Sequence, residues 1–139
     1  RPTVIKSVSM NPARTVVSTS SAPAAIGPYS QAIVTGNLVF CSGQIPLSPE
    51  TGQLVGAGDV AAQTEQVMKN LQAVLSAAGC DFQHVVRCTI YLGNMGDFAT
   101  VNGIYGRCFP NEPPARTTIQ AAGLPRGALI EIDAIAVRP

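Results

Sequence analysis

Residues 60–78 constrain the fold most, because their apolar members follow helical spacing with the greatest regularity. Val60, Val67, Met68, Leu71, Val74, Leu75 and Ala78 recur at intervals of three and four, which gathers them on one side of an α-helix. Asp59 stands where a side chain can cap the first free amides, and Gly79 where the chain leaves the helix. The opposite side carries Gln63, Gln66, Lys69, Asn70 and Gln72, so the helix is expected to lie on a sheet with this side in water.

Period-two runs supply that sheet. The folded part is expected to begin near residues 15–18, and runs at 32–35 and 38–42 flank Gly36-Asn37, a two-residue link suited to a hairpin with positive φ. Residues 84–92 alternate, with Val86, Cys88, Ile90 and Leu92 on one side and Val85, Arg87, Thr89 and Tyr91 on the other. A second helix is predicted over about 97–107, with Asp97 as cap and Phe98, Val101, Ile104 and Tyr105 inward. Strands at 116–121 and 128–137 complete the order β-β-β-α-β-α-β-β, an α+β fold with a mixed sheet and both helices on one face. Leu129, Ile135 and Val137 share a face of the last strand, so the second sheet face also needs cover, and self-association provides it.

Length and composition narrow the function. The chain has 139 residues, enough for one domain with its own core. Only 12% of residues are charged, a low share for a surface entirely in water, which again suggests contact between copies. The net charge is +1, the basic residues are scattered and there is no Trp, so neither a basic footprint nor a set of stacking rings favours a nucleic acid, although none is excluded. Cys41, Cys80, Cys88 and Cys108 form no C-x-x-C pair and His84 is the sole histidine, which predicts no metal site and free thiols in a reducing compartment. No apolar run is long enough to cross a bilayer. Residues 1–15 read as an N-terminal extension. The first carboxylate of the chain is Glu50, while Arg1, Lys6 and Arg14 come early. Two readings follow: a remnant of an organelle-targeting segment, mitochondrial or plastid, or a disordered or strand-forming terminus of a cytoplasmic protein.

The last strand breaks its own pattern. Glu131 lies between Leu129 and Ile135 on one face, with Asp133 beside it, and a carboxylate in an apolar run needs a partner or a use. Arg116 follows Pro113-Pro114-Ala115 at the start of the neighbouring strand, where its planar fork can grip a carboxylate through two parallel hydrogen bonds. That carboxylate is either a ligand's or, structurally, that of Glu131 or Asp133. His84 has no Ser or Cys motif beside it, so a nucleophilic triad finds no support.

Residues 22–31 (APAAIGPYSQ), 42–46 (SGQIP), 114–116 (PAR) and 130–136 (IEIDAIA), together with 98–102 (FATVN) and Tyr105, closely resemble the RidA/YjgF reactive-intermediate deaminase family. The resemblance covers residues 16–139 and implies a chorismate-mutase-like homotrimer with active sites between subunits. It implies hydrolysis of small 2-imino or enamine acids, 2-iminobutanoate and 2-iminopropanoate, to 2-keto acids and ammonia without a cofactor, which protects pyridoxal-phosphate enzymes from damage. Arg116 would bind the substrate carboxylate, Glu131 would orient or activate water, and Tyr29, Ser42, Gly43, Asn102 and the Thr118 backbone N–H would shape the pocket. Gly43 could equally serve turn geometry, Tyr29 packing, and Asn102 a loop contact. Thr118 stands where many members carry cysteine, and Asp133 where Glu is common. Rival readings are an endoribonuclease acting on single-stranded RNA, with translation inhibition, and a trimeric chaperone or ligand-binding module.

Overall fold

The computed structural model describes residues 13–139 and the backbone of residues 5–8. Its strands are β1 (Ile5–Val8), β2 (Thr15–Val17), β3 (Ala32–Thr35), β4 (Leu38–Gln44), β5 (Val85–Leu92), β6 (Ala115–Gln120) and β7 (Ile130–Val137), with helices α1 (Val60–Ala77) between β4 and β5 and α2 (Phe98–Cys108) between β5 and β6. All strands join one sheet in the order β1-β2-β3-β4-β7-β5-β6. Strands β5 and β6 are parallel, joined through α2, while the other pairs are antiparallel. The expected order therefore stands, with β1 added inside the stretch read as an extension.

Strand β7 organises the layers. Ile130, Ile132, Ala134 and Ala136 are buried in one cluster with Val67, Leu71, Val74 and Leu75 of α1 and Val101 and Tyr105 of α2, so both helices cover the same face. The opposite face holds Leu38 and Phe40 of β4 against Val137 and Ile135 of β7, and Tyr91 of β5 against Ile119 of β6. Phe40 and Ile119 are each 42% exposed in the single chain, which leaves an apolar sheet face uncovered. Among the described residues, no helix is long and apolar enough to cross a membrane.

Local chemistry explains most boundaries. The Asp59 carboxylate accepts from the Ala62 N–H at 3.1 Å, and the helix ends before Gly79, whose φ is +83°. Gly36 takes φ +57° in the β3–β4 hairpin, as its dipeptide requires. Three expectations need correction. Gln63 and Asn70 are buried rather than solvated. The loop after β4 and the segment before β7 lie over this side of α1. Gln63 Nε2 donates to Gly56 O at 3.0 Å while its Oε1 accepts from Leu129 N at 2.8 Å, and Asn70 Nδ2 donates to Ile45 O and Leu47 O at 3.2 and 2.9 Å. Secondly, Val86 is exposed and Val85 takes the inward position, because an extra residue bulges β5 between Val85 and Arg87 against β7. Thirdly, Asp97 makes no side-chain cap and Phe98 is 39% exposed. Asn94 instead caps the short turn that leads into α2, its Oδ1 accepting from Gly96 N at 2.8 Å.

Asn70→Ala strands the Leu47 carbonyl and leaves Ile45 O with the Leu47 N–H alone, and is expected to destabilise the protein by about 1–3 kcal/mol in equilibrium urea unfolding. Lys69→Ala, one residue away on the exposed side, is expected to change stability by less than about 0.5 kcal/mol.

Candidate active site

The first group of polar residues forms where β4 meets β7. Their pairing is regular up to Cys41 opposite Ala134 and resumes at Gln44 opposite Ile132, so Ser42 and Gly43 occupy an irregular step. Ser42 is tied back to the chain before β3: its N–H donates to Gln31 O at 3.0 Å and its Oγ–H to Ser30 O at 2.5 Å. The buried Gln31 side chain then holds the preceding loop. Its Oε1 accepts from Thr19 N at 2.7 Å, and its Nε2 donates to Pro23 O at 2.7 Å and Thr19 O at 3.1 Å. Tyr29, at the end of that loop, accepts from Ile26 N at 3.3 Å and remains half exposed.

Glu131 points from β7 into this group. A Cβ added to Gly43 would lie 2.0 Å from Glu131 Oε2 and 2.9 Å from its carboxyl carbon. Gly43 thus lets the carboxylate lie directly against the backbone, and a side chain there would have to push it aside; its backbone is not left-handed. Burial, and secondarily the neighbouring Asp133 charge, pushes the Glu131 carboxyl above its ordinary range. Asp133 is occupied otherwise, accepting from Thr89 N and from the Tyr91 hydroxyl at 3.1 Å each. Ile26, Tyr29, Ser42, Gly43, Ile45, Pro125 and Glu131 line a cavity of about 310 Å³. Ile26, Ile45 and Pro125 were not singled out in the sequence. Ile26 and Ile45 lie inside the family motifs, but nothing in their type signals a pocket wall. A larger cavity, about 570 Å³, opens beside Phe82 and Phe109, away from these residues.

The second group lies elsewhere. Arg116 sits opposite Cys88, and Thr118 opposite Ile90, which puts both on the helix-covered face beside α2, the helix carrying Asn102. Glu131 sits opposite Tyr91, on the other face. Strand β5 separates β7 from β6, so the two strands are about 10 Å apart across two ladder spacings. A single chain thus does not bring Arg116 to Glu131. Among the described residues the ion pairs are Asp81–His84 and Glu65–Arg107, and Arg116 joins no carboxylate. This overturns the structural alternative in which Arg116 neutralises Glu131 or Asp133 within its own chain. The Thr118 Oγ1 is buried without a hydrogen-bond partner among the described residues. No group of three His, Cys, Asp or Glu side chains among them could hold a metal ion, and no two of the four cysteines form a disulfide among the described residues.

The protein is thus an α+β domain that carries two groups of polar residues on opposite faces of one sheet. The family described as Endoribonuclease L-PSP matches residues 19–138, and the chain belongs to this family, the RidA/YjgF group its motifs resemble. Protein DfrA of Myxococcus xanthus is 59% identical over 127 residues, covering 90% of this chain and 96% of its own. The 2-iminobutanoate/2-iminopropanoate deaminase of Mus musculus is 52% identical over 125 residues, covering 90% and 92%. The crystal structure of the YjgF gene product of E. coli matches with a TM-score of 0.84 at 43% identity, covering 89% of this chain and 98% of that one.

Gly43→Ala is expected to displace the Glu131 carboxylate, the movable end of a side chain, and so to destabilise the fold by only about 0.5–1.5 kcal/mol, the cost of forcing that side chain from its rotamer. Shortening the carboxylate by Glu131→Ala should relieve much of that, giving a coupling above about 0.5 kcal/mol in a double-mutant cycle measured by urea unfolding.

Proposed function

We propose that the chain hydrolyses small 2-imino acids to 2-keto acids and ammonia, in sites completed between the copies of a homotrimer. The observation that carries this reading is the separation of the two groups: among the described residues, an arginine without a carboxylate and a carboxylate without a cation, on opposite faces of one sheet. An assembly that lays the uncovered sheet faces inward brings Arg116 of one copy to the Glu131 half-site of the next. It also buries Phe40 and Ile119. The deaminase name of the mouse relative supports the chemistry, and the apolar face supports the assembly.

In this mechanism Arg116 takes the substrate carboxylate in a bidentate pair. The Gly43 side of the cavity leaves room for the imine beside the Glu131 carboxylate, while Ile26, Ile45 and Pro125 face the short aliphatic side chain. A protonated imine is already electrophilic, so the main task is to hold water about 3 Å from its carbon. Ionised Glu131 orients that water, accepts its proton and returns it to the nitrogen of the tetrahedral carbinolamine; the carboxylate then takes the hydroxyl proton as the carbon–oxygen double bond forms and the carbon–nitrogen bond breaks to release ammonia. Tyr29, Ser42, Asn102 and the Thr118 N–H fix the walls.

The test couples the purified protein to a pyridoxal-phosphate threonine dehydratase and traps free imine with semicarbazide. Wild type should suppress the semicarbazone and speed 2-oxobutanoate release, and Arg116→Ala should lower kcat/KM about 10²- to 10³-fold. Mixing unfolded Arg116→Ala and Glu131→Gln chains and refolding them together should restore about one quarter of wild-type activity, the share of neighbouring pairs that supply both intact halves. Cleavage of single-stranded RNA by both variants at wild-type rate, with no effect on the imine, would favour the endoribonuclease reading instead.

A pH dependence follows from Glu131. Its carboxyl titrates above the ordinary value because burial disfavours the charge, and only the ionised form accepts the proton. Activity is therefore expected to fall as pH drops through this raised value, earlier in the descent than an exposed glutamate would lose its charge. The pH profile of kcat/KM checks the position of that acid limb.

A further inference from the structure

Helix α2 presents its residues toward β6 in a single stripe. Phe98, Asn102 and Tyr105 are spaced by four and three positions, so they lie one above another on the helix surface. Over this stripe runs the Arg116 side chain. Its guanidinium carbon is 5.1 Å from the centre of the Tyr105 ring and 5.6 Å from that of Phe98, both within the range in which a cation is attracted to an aromatic face.

The two rings differ in how they are held. Tyr105 is 4% exposed and packs at 4.7 Å, centre to centre, on Phe109, which in turn meets Phe82 at 5.3 Å. Its hydroxyl is buried beside the Cys88 thiol without a hydrogen bond of standard geometry among the described residues. Phe98, by contrast, is 39% exposed, although an aromatic ring at the start of an amphipathic helix would ordinarily turn into the core. A core role does not account for the exposed Phe98 ring, whereas contact with Arg116 does, since it uses the faces of both rings.

We propose that Phe98 and Tyr105 are positioning residues that seat the Arg116 guanidinium between their rings, so that its N–H donors are aimed and uncommitted before a carboxylate arrives. A carboxylate partner from the protein would orient the guanidinium but consume its donors; an aromatic seat orients it and leaves the fork free. The seat restricts a long, many-rotor side chain in advance, which lowers the entropic penalty of binding. The inference rests on the reading of Arg116 as the carboxylate-binding group.

The experiment compares Phe98→Leu and Tyr105→Leu with the ring-preserving Phe98→Tyr and Tyr105→Phe, all on the assembled protein. Each leucine variant should raise the imine KM and the Kd for 2-oxobutanoate, titrated calorimetrically, about five- to twentyfold, with kcat within about twofold. The ring-preserving variants should restore wild-type KM. Because Tyr105 lies in the core, its leucine variant is judged beside Phe98→Leu, whose site is partly open. Leucine variants with wild-type KM, or ring-preserving variants as weak as leucine, overturn the proposal.

A second readout needs no ligand. The Arg116 Nε–H proton, identified by its loss in Arg116→Lys, should resonate upfield of the other arginines in an NMR spectrum and return toward them in Phe98→Leu. An unshifted resonance in wild type overturns the seat. Should wild type leave the imine untouched, the deaminase reading falls, while this resonance still decides whether the seat exists.

Discussion

Strand β7 is hydrogen-bonded on both sides, to β4 and β5, and so lies flat in the middle of the sheet. A strand fixed in that way must send alternate side chains to opposite faces. The even-numbered residues Ile130, Ile132, Ala134 and Ala136 fill the helix side. The odd-numbered set is thereby committed to the other face, and Glu131 can go nowhere but toward Gly43. A slip of one residue would place Glu131 and Asp133 among Leu71 and Leu75, where unpaired carboxylates are strongly disfavoured. The same constraint that builds the core thus aims the carboxylate.

The loops that frame the cavity are fixed by buried amide side chains. Gln31 latches the loop of residues 19–23, Asn70 the carbonyls of Ile45 and Leu47, and Gln63 both Gly56 and Leu129. Each amide offers a donor and an acceptor at once, so one side chain closes two backbone gaps that no helix or ladder serves. A pocket wall made of loop therefore inherits the rigidity of α1 and β3. Ile45 can be an apolar wall because its carbonyl is held from behind by Asn70.

Much of this was legible in the sequence. The α1 pattern, its Asp59 cap, the Gly36 hairpin and the alternation of β7 all follow from local periodicity and turn chemistry, which act over a few residues. Those features that failed depend on distant chain. Gln63 and Asn70 read as solvent-facing because polarity at helical spacing cannot report that a loop some twenty residues away will cover them. Val86 changed sides through a bulge, which depends on how β5 pairs with β7. Arg116 and Glu131 break the sequence pattern, yet linear order could not tell that β7 inserts between β4 and β5, leaving the pair on opposite faces. For Gly43, Tyr29 and Asn102 the residue types alone leave a structural and a functional reading open, and only the family motifs favour the second.

Strand β6 ends the sheet order and runs Ala115-Arg116-Thr117-Thr118-Ile119-Gln120. An edge strand offers a free row of backbone donors and acceptors, and a long apolar one invites pairing with any exposed strand of another molecule. Here four of six side chains are charged or carry a hydroxyl or amide, and Ile119 is the one large apolar side chain. The strand that must stay open enough to present Arg116 is in this way guarded against uncontrolled sheet extension, so that accessibility at this edge need not be bought with a tendency to aggregate.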